Sequence, residues 1–215
     1  MTFIEILLSL GPTLGKADKS TFSHQTLMEL FIDGIIEKQK IFDQTVEEPK
    51  DVSDWKGLTI QGEDVIAIEW ADERLGGSVP LECLPPTVTT VELHGNRFEG
   101  TISLVHLPDV LKKLTLYINQ LSGSLELTCL PASLTMLNIH TNKFSGSVCL
   151  TQLPDRLNLL NISGNVLTGT PDLTSLPPSM ESLYLHMNKF HGSANFSLLP
   201  VSLKVLFVSQ TQLEG

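Results

Sequence analysis

The chain has 215 residues, of which 41% are hydrophobic, and a formal net charge of −10 at pH 7. This length and apolar content suffice for one sizeable core and do not require two domains. Nucleic-acid binders need clustered Lys and Arg to displace counterions, so the acidic balance argues against a nucleic-acid partner.

The charge lies mainly in the first third of the chain. Residues 1–73 hold 15 acidic and 6 basic residues, whereas residues 74–215 hold 9 and 8. Residues 3–10 form an apolar run that resembles a signal peptide, but the run is short, Glu5 interrupts it and no Lys or Arg precedes it. These features weigh against secretion. The alternative is that the run is a signal peptide and the protein is secreted. No stretch elsewhere is long and apolar enough to span a membrane, so membrane association is not indicated.

A helical pattern follows in the N-terminal segment, which we place at residues 1–60. Thr26 and Glu29 have the spacing of a capping box, and apolar residues then recur at helical intervals up to Phe42. We therefore predict one amphipathic helix over about 26–42. Its expected role is to cap the first unit of the array that follows, and the alternative is a helix that binds a partner.

The rest of the chain repeats itself every 23 residues. A glycine lies four residues after each repeated asparagine, and each unit opens with Leu-Pro. The repeated asparagines are Asn96, Asn119, Asn142, Asn165 and Asn188. Counting imperfect units at both ends, we predict an array of seven 23-residue units over residues 61–215.

One unit, residues 130–152, shows what each repeat contributes. Leu137 and Ile139 flank Asn138, which is the alternation of a half-buried strand, so Met136, Asn138 and His140 point away from the core. The repeated asparagine comes where the strand ends, and its amide can satisfy backbone groups there, so stacked copies form a structural ladder. The leucine-proline openings discourage helices, so we expect extended and 3-10 segments on the opposite side.

The consensus LPxSLxxLxLxxNxFxGxxxL resembles the leucine-rich repeat family. Segments such as NQLSGSLEL and NVLTGTPDL are most similar to the plant-type subfamily and to repeats of protist proteins, including trypanosomatid surface antigens. The resemblance covers residues 61–215. It implies a right-handed solenoid with a parallel sheet on its concave face, and protein recognition as its function.

Residues 54–70 are similar to the W-x-G-V segment of plant-type N-terminal caps, in which cysteines flank the motif. Asp54 and Ile60 stand near those places here. Cys83 and Cys129 lie two units apart, about 10 Å, which is too far for a disulfide. The missing disulfides favour a cytoplasmic protein. The sequons at Asn161 and Asn195 are the weaker evidence for a secreted or cell-surface protein.

The side of the predicted sheet that faces away from the core carries no convincing catalytic or metal site. His94, His140 and His186 lie two strands apart, about 10 Å, so they cannot share a metal ion. Ser163 has histidines on both neighbouring strands, but no carboxylate orients them. Glu69 and Glu92 are expected to form a solvated acidic rim. We predict no enzyme activity, no cofactor and no metal.

The sequence therefore predicts a non-enzymatic protein–protein interaction module, a scaffold that binds a protein or peptide on its concave face. Aromatic side chains carry much of the energy at such interfaces. The predicted contacts are Glu92, His94, Lys113, Tyr117, Met136, His140, Tyr184, His186 and Phe207. The alternative is a secreted or anchored structural protein. The last unit has no predicted cap, so we also expect pairing through the C-terminal end.

Overall fold

Each repeat unit contributes two short strands, and like strands of successive units pair side by side. The structure, a computed structural model, describes residues 19–42 and 51–214. The apolar run at residues 3–10 lies outside the described residues. The predicted boundary between residues 60 and 61 falls inside the strand Leu58–Gln61, and the proposed division of the chain stays a prediction.

The first sheet contains the strands that the repeat pattern predicts. Its strands pair in parallel, except for β2 and β3, which form an antiparallel hairpin at the N-terminal edge. In spatial order the first sheet comprises β15 (Val205–Phe207), β13 (Ser182–Tyr184), β11 (Leu159–Asn161), β9 (Met136–Asn138), β7 (Lys113–Thr115), β5 (Thr90–Glu92), β3 (Asp64–Glu69) and β2 (Leu58–Gln61).

A second sheet follows the asparagine of each unit. The sequence analysis predicted extended chain in this region but no sheet. The strands pair in parallel except for β1 with β4. The second sheet comprises β1 (Ile35–Ile36), β4 (Gly76–Gly77), β6 (Arg97–Thr101), β8 (Gln120–Gly123), β10 (Lys143–Gly146), β12 (Val166–Gly169), β14 (Lys189–Ser193) and β16 (Gln212–Glu214).

The hydrophobic core fills the space between the two sheets. The first-sheet strands point alternate residues inward, such as Leu114 and Leu116, which are fully buried. The second sheet contributes one inward residue per unit, and this column alternates between phenylalanine and leucine. Its fully buried members are Phe98, Leu121, Phe144, Leu167 and Phe190. A large ring therefore packs between smaller side chains of the neighbouring units, which fills each layer without overlap.

The segments that return to the first sheet consist mainly of turns. In unit after unit the N–H three residues beyond a proline donates to the proline carbonyl, as from Leu134 to Pro131 at 3.0 Å. Within the described residues of the array, a 3-10 helix forms only at Leu81–Cys83. The expected extended and 3-10 segments are thus second-sheet strands and proline turns.

The N-terminal helix is shorter than the predicted 26–42. Helix α1 runs from His24 to Ile32, and Ser23 caps it by accepting a hydrogen bond from the Thr26 N–H. The chain then turns at Gly34, a poor helix former, and Ile35 begins strand β1. Pairing of β1 with β4 and a 3-10 helix at Lys38–Lys40 therefore replace the second half of the predicted helix.

The β1–β4 pair requires glycine at position 77. Gly77 has φ +82°, and a Cβ there would lie 2.1 Å from the Gly34 carbonyl oxygen. Beneath this pair, the Phe31 ring packs 6.1 Å from Trp70, and the Phe42 ring lies edge-on to Trp55 at 5.1 Å. Residues 19–42 are thus joined to the first turn of the array by strand pairing and by ring packing.

The last turn is less covered than the turns before it. Leu206 and Leu213 are partly buried, whereas the equivalent Leu183 and Phe190 of the preceding unit are fully buried. The expected pairing through this end remains a prediction.

Candidate functional site

A ladder of asparagine side chains holds the ends of the first-sheet strands in register. The Asn142 Oδ1 atom accepts from the Leu121 N–H at 3.0 Å, and its Nδ2 donates to the carbonyls of Leu116 at 3.0 Å and Ile139 at 3.1 Å. The same bonds recur in the other units. The members of this ladder are Asn96, Asn119, Asn142, Asn165 and Asn188. Each amide bonds two adjacent turns, so the side chains above it are held at a constant spacing.

The predicted contact residues lie on one side of the first sheet. Because Leu114 and Leu116 point into the core, Lys113, Thr115 and Tyr117 point the other way, and the parallel register carries this pattern through every strand. We call this side the first-sheet face. It brings together all nine predicted contacts, namely Glu92, His94, Lys113, Tyr117, Met136, His140, Tyr184, His186 and Phe207.

Three rings stack on the first-sheet face. The Tyr117 ring lies between His94 at 4.2 Å and His140 at 4.6 Å, with interplanar angles of 15° and 10°. We call these three residues the ring stack. Because the flat faces of Tyr117 are covered on both sides, the stack presents ring edges to solvent. Those edges carry hydroxyl and imidazole groups, which donate and accept hydrogen bonds.

A second group of rings lies three turns away along the same face. Tyr184 and Phe207 stack with centroids 5.6 Å apart and an interplanar angle of 8°, and His186 contacts both. We call these residues the C-terminal ring cluster. Phe207 is half exposed, so the cluster keeps a large apolar surface in contact with solvent.

Polar residues separate the two groups of rings. Ser163 is buried and its hydroxyl donates to Asn161 Oδ1 at 2.6 Å rather than to either neighbouring histidine. The histidine–serine pairing that a hydrolase would need is therefore not formed. Within the described residues, the Asn138 Oδ1 and His186 Nδ1 atoms are buried without hydrogen-bond partners. Unsatisfied buried polar atoms are uncommon in folded proteins, and both lie near this face.

The charges on the face differ from the acidic rim expected from the sequence. The Lys113 Nζ on β7 lies 2.5 Å from the Glu92 Oε1 on β5. Glu92 is therefore ion-paired, whereas the prediction was an unpaired acid. The pair joins residues of two different columns, and the repeat of residue types within one column does not indicate it. Glu69 is exposed and forms no ion pair within the described part of the chain. Among the described residues, Glu69 is therefore an unpaired carboxylate at the N-terminal side of the first-sheet face.

The sequence analysis also missed a row of residues with left-handed backbone. The residue just before each repeated asparagine, and its equivalents in the end units, has φ between +54° and +68°. This row comprises Asp72, Gly95, Ile118, Thr141, Gly164, Met187 and Gln210. The conformation costs a residue other than glycine about 1–2 kcal/mol, and β-branched residues adopt it rarely. The glycines at 95 and 164 were the available signal for it.

No cluster of three or more His, Cys, Asp or Glu side chains in residues 19–42 and 51–214 is arranged to hold a metal ion. In the same residues, no helix has the length and apolar content to cross a bilayer.

The pKa of His140 predicts how stability depends on pH. Burial lowers this pKa below its ordinary value of 6.5, and His186 and His94 act in the same direction. The unfolded chain therefore binds a proton at His140 more readily, so the free energy of unfolding should fall as the pH drops below about 6.5. Urea unfolding between about pH 7.5 and 5 measures this. We expect a smaller loss for His140→Gln, and identical profiles for both chains would contradict the assignment.

The three cysteines should differ in reactivity. Burial raises the pKa of Cys83 to about 12, whereas Cys129 and Cys149 are exposed. Because the thiolate is the reactive form, iodoacetamide should label Cys129 and Cys149 in the native chain and leave Cys83 unmodified. Peptide mass spectrometry measures the labelling, with urea-unfolded chain as the control in which all three react. Rapid labelling of native Cys83 would contradict its burial.

Comparison with known proteins identifies the fold. No protein-family model matches the sequence, and no curated protein matches it. Among solved structures, Pollen Receptor Kinase 3 is 23% identical with a TM-score of 0.68, and the match covers 89% of this chain and 96% of that one. The Arabidopsis HAESA leucine-rich repeat ectodomain, solved with an IDA peptide hormone, is 24% identical with a TM-score of 0.70. The chain has a leucine-rich repeat fold.

The matched solved structures differ in how much of their own length this chain covers. The match covers 88% of this chain and 33% of the HAESA ectodomain, so the chain spans about a third of that protein's length. The BIR2 ectodomain from Arabidopsis thaliana is 20% identical with a TM-score of 0.60, over 82% of this chain and 96% of that one. Since HAESA and BIR2 were solved as ectodomains, the predicted cytoplasmic location gains no support from them.

Proposed function

We propose that the chain is a non-enzymatic interaction module that binds a protein or peptide on the first-sheet face, which the right-handed curvature of the solenoid makes concave. The observation that carries this proposal is the ring stack and the C-terminal ring cluster on one open sheet. Tyrosine and phenylalanine are enriched in protein interfaces, and tyrosine is also enriched among the few residues that carry most of the binding energy. Similar support comes from HAESA, whose structure contains a peptide hormone.

The geometry of the face favours binding over catalysis. The Ser163 hydroxyl is bonded to Asn161, and the Glu92 carboxylate is bonded to Lys113, so neither is poised as a nucleophile or a base. An open sheet also excludes little water, whereas many enzymes enclose their reacting groups. The face supplies what an interface needs, namely exposed apolar area together with donors and acceptors held in register.

Affinity capture tests the proposal directly. The double variant Tyr184→Ala/Phe207→Ala should lose the protein or peptide partners that the unchanged chain retains, because it removes the exposed stack of the C-terminal ring cluster. Val166→Ala/His191→Ala is the matched control, since it changes two exposed residues of the second sheet. Identical partners for all three chains would show that the first-sheet face does not bind them.

A second candidate is a secreted or surface-anchored structural protein. Two observations favour it: HAESA and BIR2 were solved as ectodomains, and Asn195 is exposed within a sequon. Expression in eukaryotic cells followed by glycosidase treatment tests it. A glycan on Asn195 and an N-terminus cleaved near Ala17 would support this candidate, and a full-length, unmodified chain in the cytosol would contradict it. In either compartment, α1 is proposed to cap the N-terminal end of the array.

A further inference from the structure

Two exposed apolar residues occupy positions where they contribute little to folding. Ile118 and Met187 belong to the left-handed row described above, with φ of +55° and +54°. Their exposed fractions are 50% and 53%. Gly95 and Gly164 show that the fold accepts glycine at equivalent positions. Neither burial nor backbone preference explains an isoleucine or a methionine there.

The backbone itself imposes this conformation. The Ile118 N–H donates to the His140 carbonyl at 3.0 Å, and the Met187 N–H donates to the Ser209 carbonyl at 3.1 Å. These bonds tie each turn to the next, so both residues are held in an unfavourable state by their surroundings. Because the same conformation recurs in every unit, what distinguishes these two positions is the exposed apolar side chain rather than the backbone. Thr141, in the same row, has a local explanation, because its hydroxyl bonds His140 Nδ1 at 2.8 Å.

Both residues adjoin the rings of the first-sheet face. Ile118 follows Tyr117 at the centre of the ring stack, and Met187 follows His186 in the C-terminal ring cluster. We call Ile118 and Met187 the apolar rim. They are three turns apart, which at ~4.8 Å per strand separates them by about 14 Å. In an extended peptide, residues i and i+4 are also about 14 Å apart and point to the same side.

Charge complementarity extends this match. The described charges on the first-sheet face are Glu69, Glu92 and Lys113, of which the last two pair with each other. Asp72, also exposed, begins the left-handed row to which the apolar rim belongs. Glu69 lies two strands beyond β7 on the Ile118 side, about 10 Å further along the face. A peptide seated on the rim would therefore meet an unpaired carboxylate at one end and the C-terminal ring cluster at the other.

We propose that the apolar rim binds an extended peptide with apolar residues at positions i and i+4 and a Lys or Arg at the end that lies over Glu69. This inference rests on the proposed function and names the class of partner. The peptide residue at i+2 lies opposite Thr141 and Gly164, which offer no large apolar surface. That peptide residue therefore need not be apolar.

A displayed library of 12-residue peptides, selected on the unchanged chain, provides the probe. Apolar pairs at i and i+4 should be enriched, together with a basic residue on one side of the pair. One selected peptide is then synthesised with its apolar residues four, three or five positions apart. The i+4 form should bind at least about tenfold more tightly than the others, since a misplaced anchor loses its contact. Equal affinity of the three forms would overturn the extended geometry.

The rim itself is tested with asparagine, which tolerates left-handed backbone. Ile118→Asn and Met187→Asn should each lower the affinity for the selected peptide by about tenfold or more, while unfolding midpoints stay equal or rise. Gln210→Asn is the matched control in the same row, with an expected change below about twofold. Glu69→Gln should lower the affinity and make it less dependent on salt. A structural role of the rim would instead lower the unfolding midpoints.

The outcomes separate this inference from the proposed function. Peptides that bind Ile118→Asn and Met187→Asn as well as the unchanged chain, but not Tyr184→Ala/Phe207→Ala, overturn the rim and leave the interaction module intact. A library from which no peptide is enriched, or whose peptides bind every first-sheet variant equally, counts against both. Selection of pairs without the i+4 spacing points to another partner, such as a folded protein or a second copy of the chain.

Discussion

Replacing Phe144 by alanine is expected to lower the free energy of unfolding by about 3–5 kcal/mol, the usual loss for a buried aromatic ring. Phe144 is fully buried between Leu121 and Leu167 of the adjacent units. Those units cannot close over the space because the asparagine ladder holds each turn at its spacing. The cavity should therefore persist, which puts the loss in the upper half of this range. Chemical denaturation followed by circular dichroism measures it.

Phe144→Leu is the matched control for this experiment. Leucine already fills the same column in alternate units, at Leu121 and Leu167, so the shorter side chain is compatible with the layer. We expect a clearly smaller loss for Phe144→Leu than for Phe144→Ala. Equal losses would mean that the alternation of large and small side chains does not govern packing in this column.

Replacing Asn142 by alanine should cost about 2–6 kcal/mol, because at least two buried backbone groups lose their partners at ~1–3 kcal/mol each. The side chain of Asn142 is almost completely buried, and it bonds the Leu121 N–H and the carbonyls of Leu116 and Ile139. Water cannot replace these bonds without opening the turn. The ring stack should loosen as well, since the Asn142 Nδ2 donates to the carbonyl oxygen of His140 at 3.3 Å.

Two variants sharpen this prediction. Asn142→Asp keeps an acceptor for the Leu121 N–H but removes both donors and buries a charge, so it should be at least as destabilising as alanine. Asn158→Ala changes an exposed asparagine outside the ladder and should shift stability by less than about 0.5 kcal/mol. A loss below about 1 kcal/mol for Asn142→Ala would show that the ladder contributes less than its bonds suggest.

Much of the first-sheet face was predictable from the repeat alone. The 23-residue period places His94, Tyr117 and His140 in one column, and strand alternation turns that column away from the buried leucines. The stacking of these rings follows from the same period, because parallel strands carry equivalent residues side by side. Local spacing was sufficient here since each contact joins equivalent positions of neighbouring units.

Contacts between different columns could not be found in this way. The Lys113–Glu92 pair joins two columns, and its formation depends on how two long side chains bend towards each other across adjacent strands. The left-handed backbone at Ile118 and Met187 could not be predicted from the sequence either, because residue preference predicts a negative φ for isoleucine. In both cases the stacking of turns overrides the local preference.

The sequence by itself determined the period, the first-sheet strands and the asparagine ladder, since each of these follows from a local alternation that is copied from unit to unit. Only the tertiary structure decided where α1 ends, that residues after the asparagine form a second sheet, and that Ile118 and Met187 stand exposed in strained backbone. The physical reason is that these features depend on backbone hydrogen bonds between turns. The backbone of almost any residue can form such bonds, so the residue type predicts them only weakly.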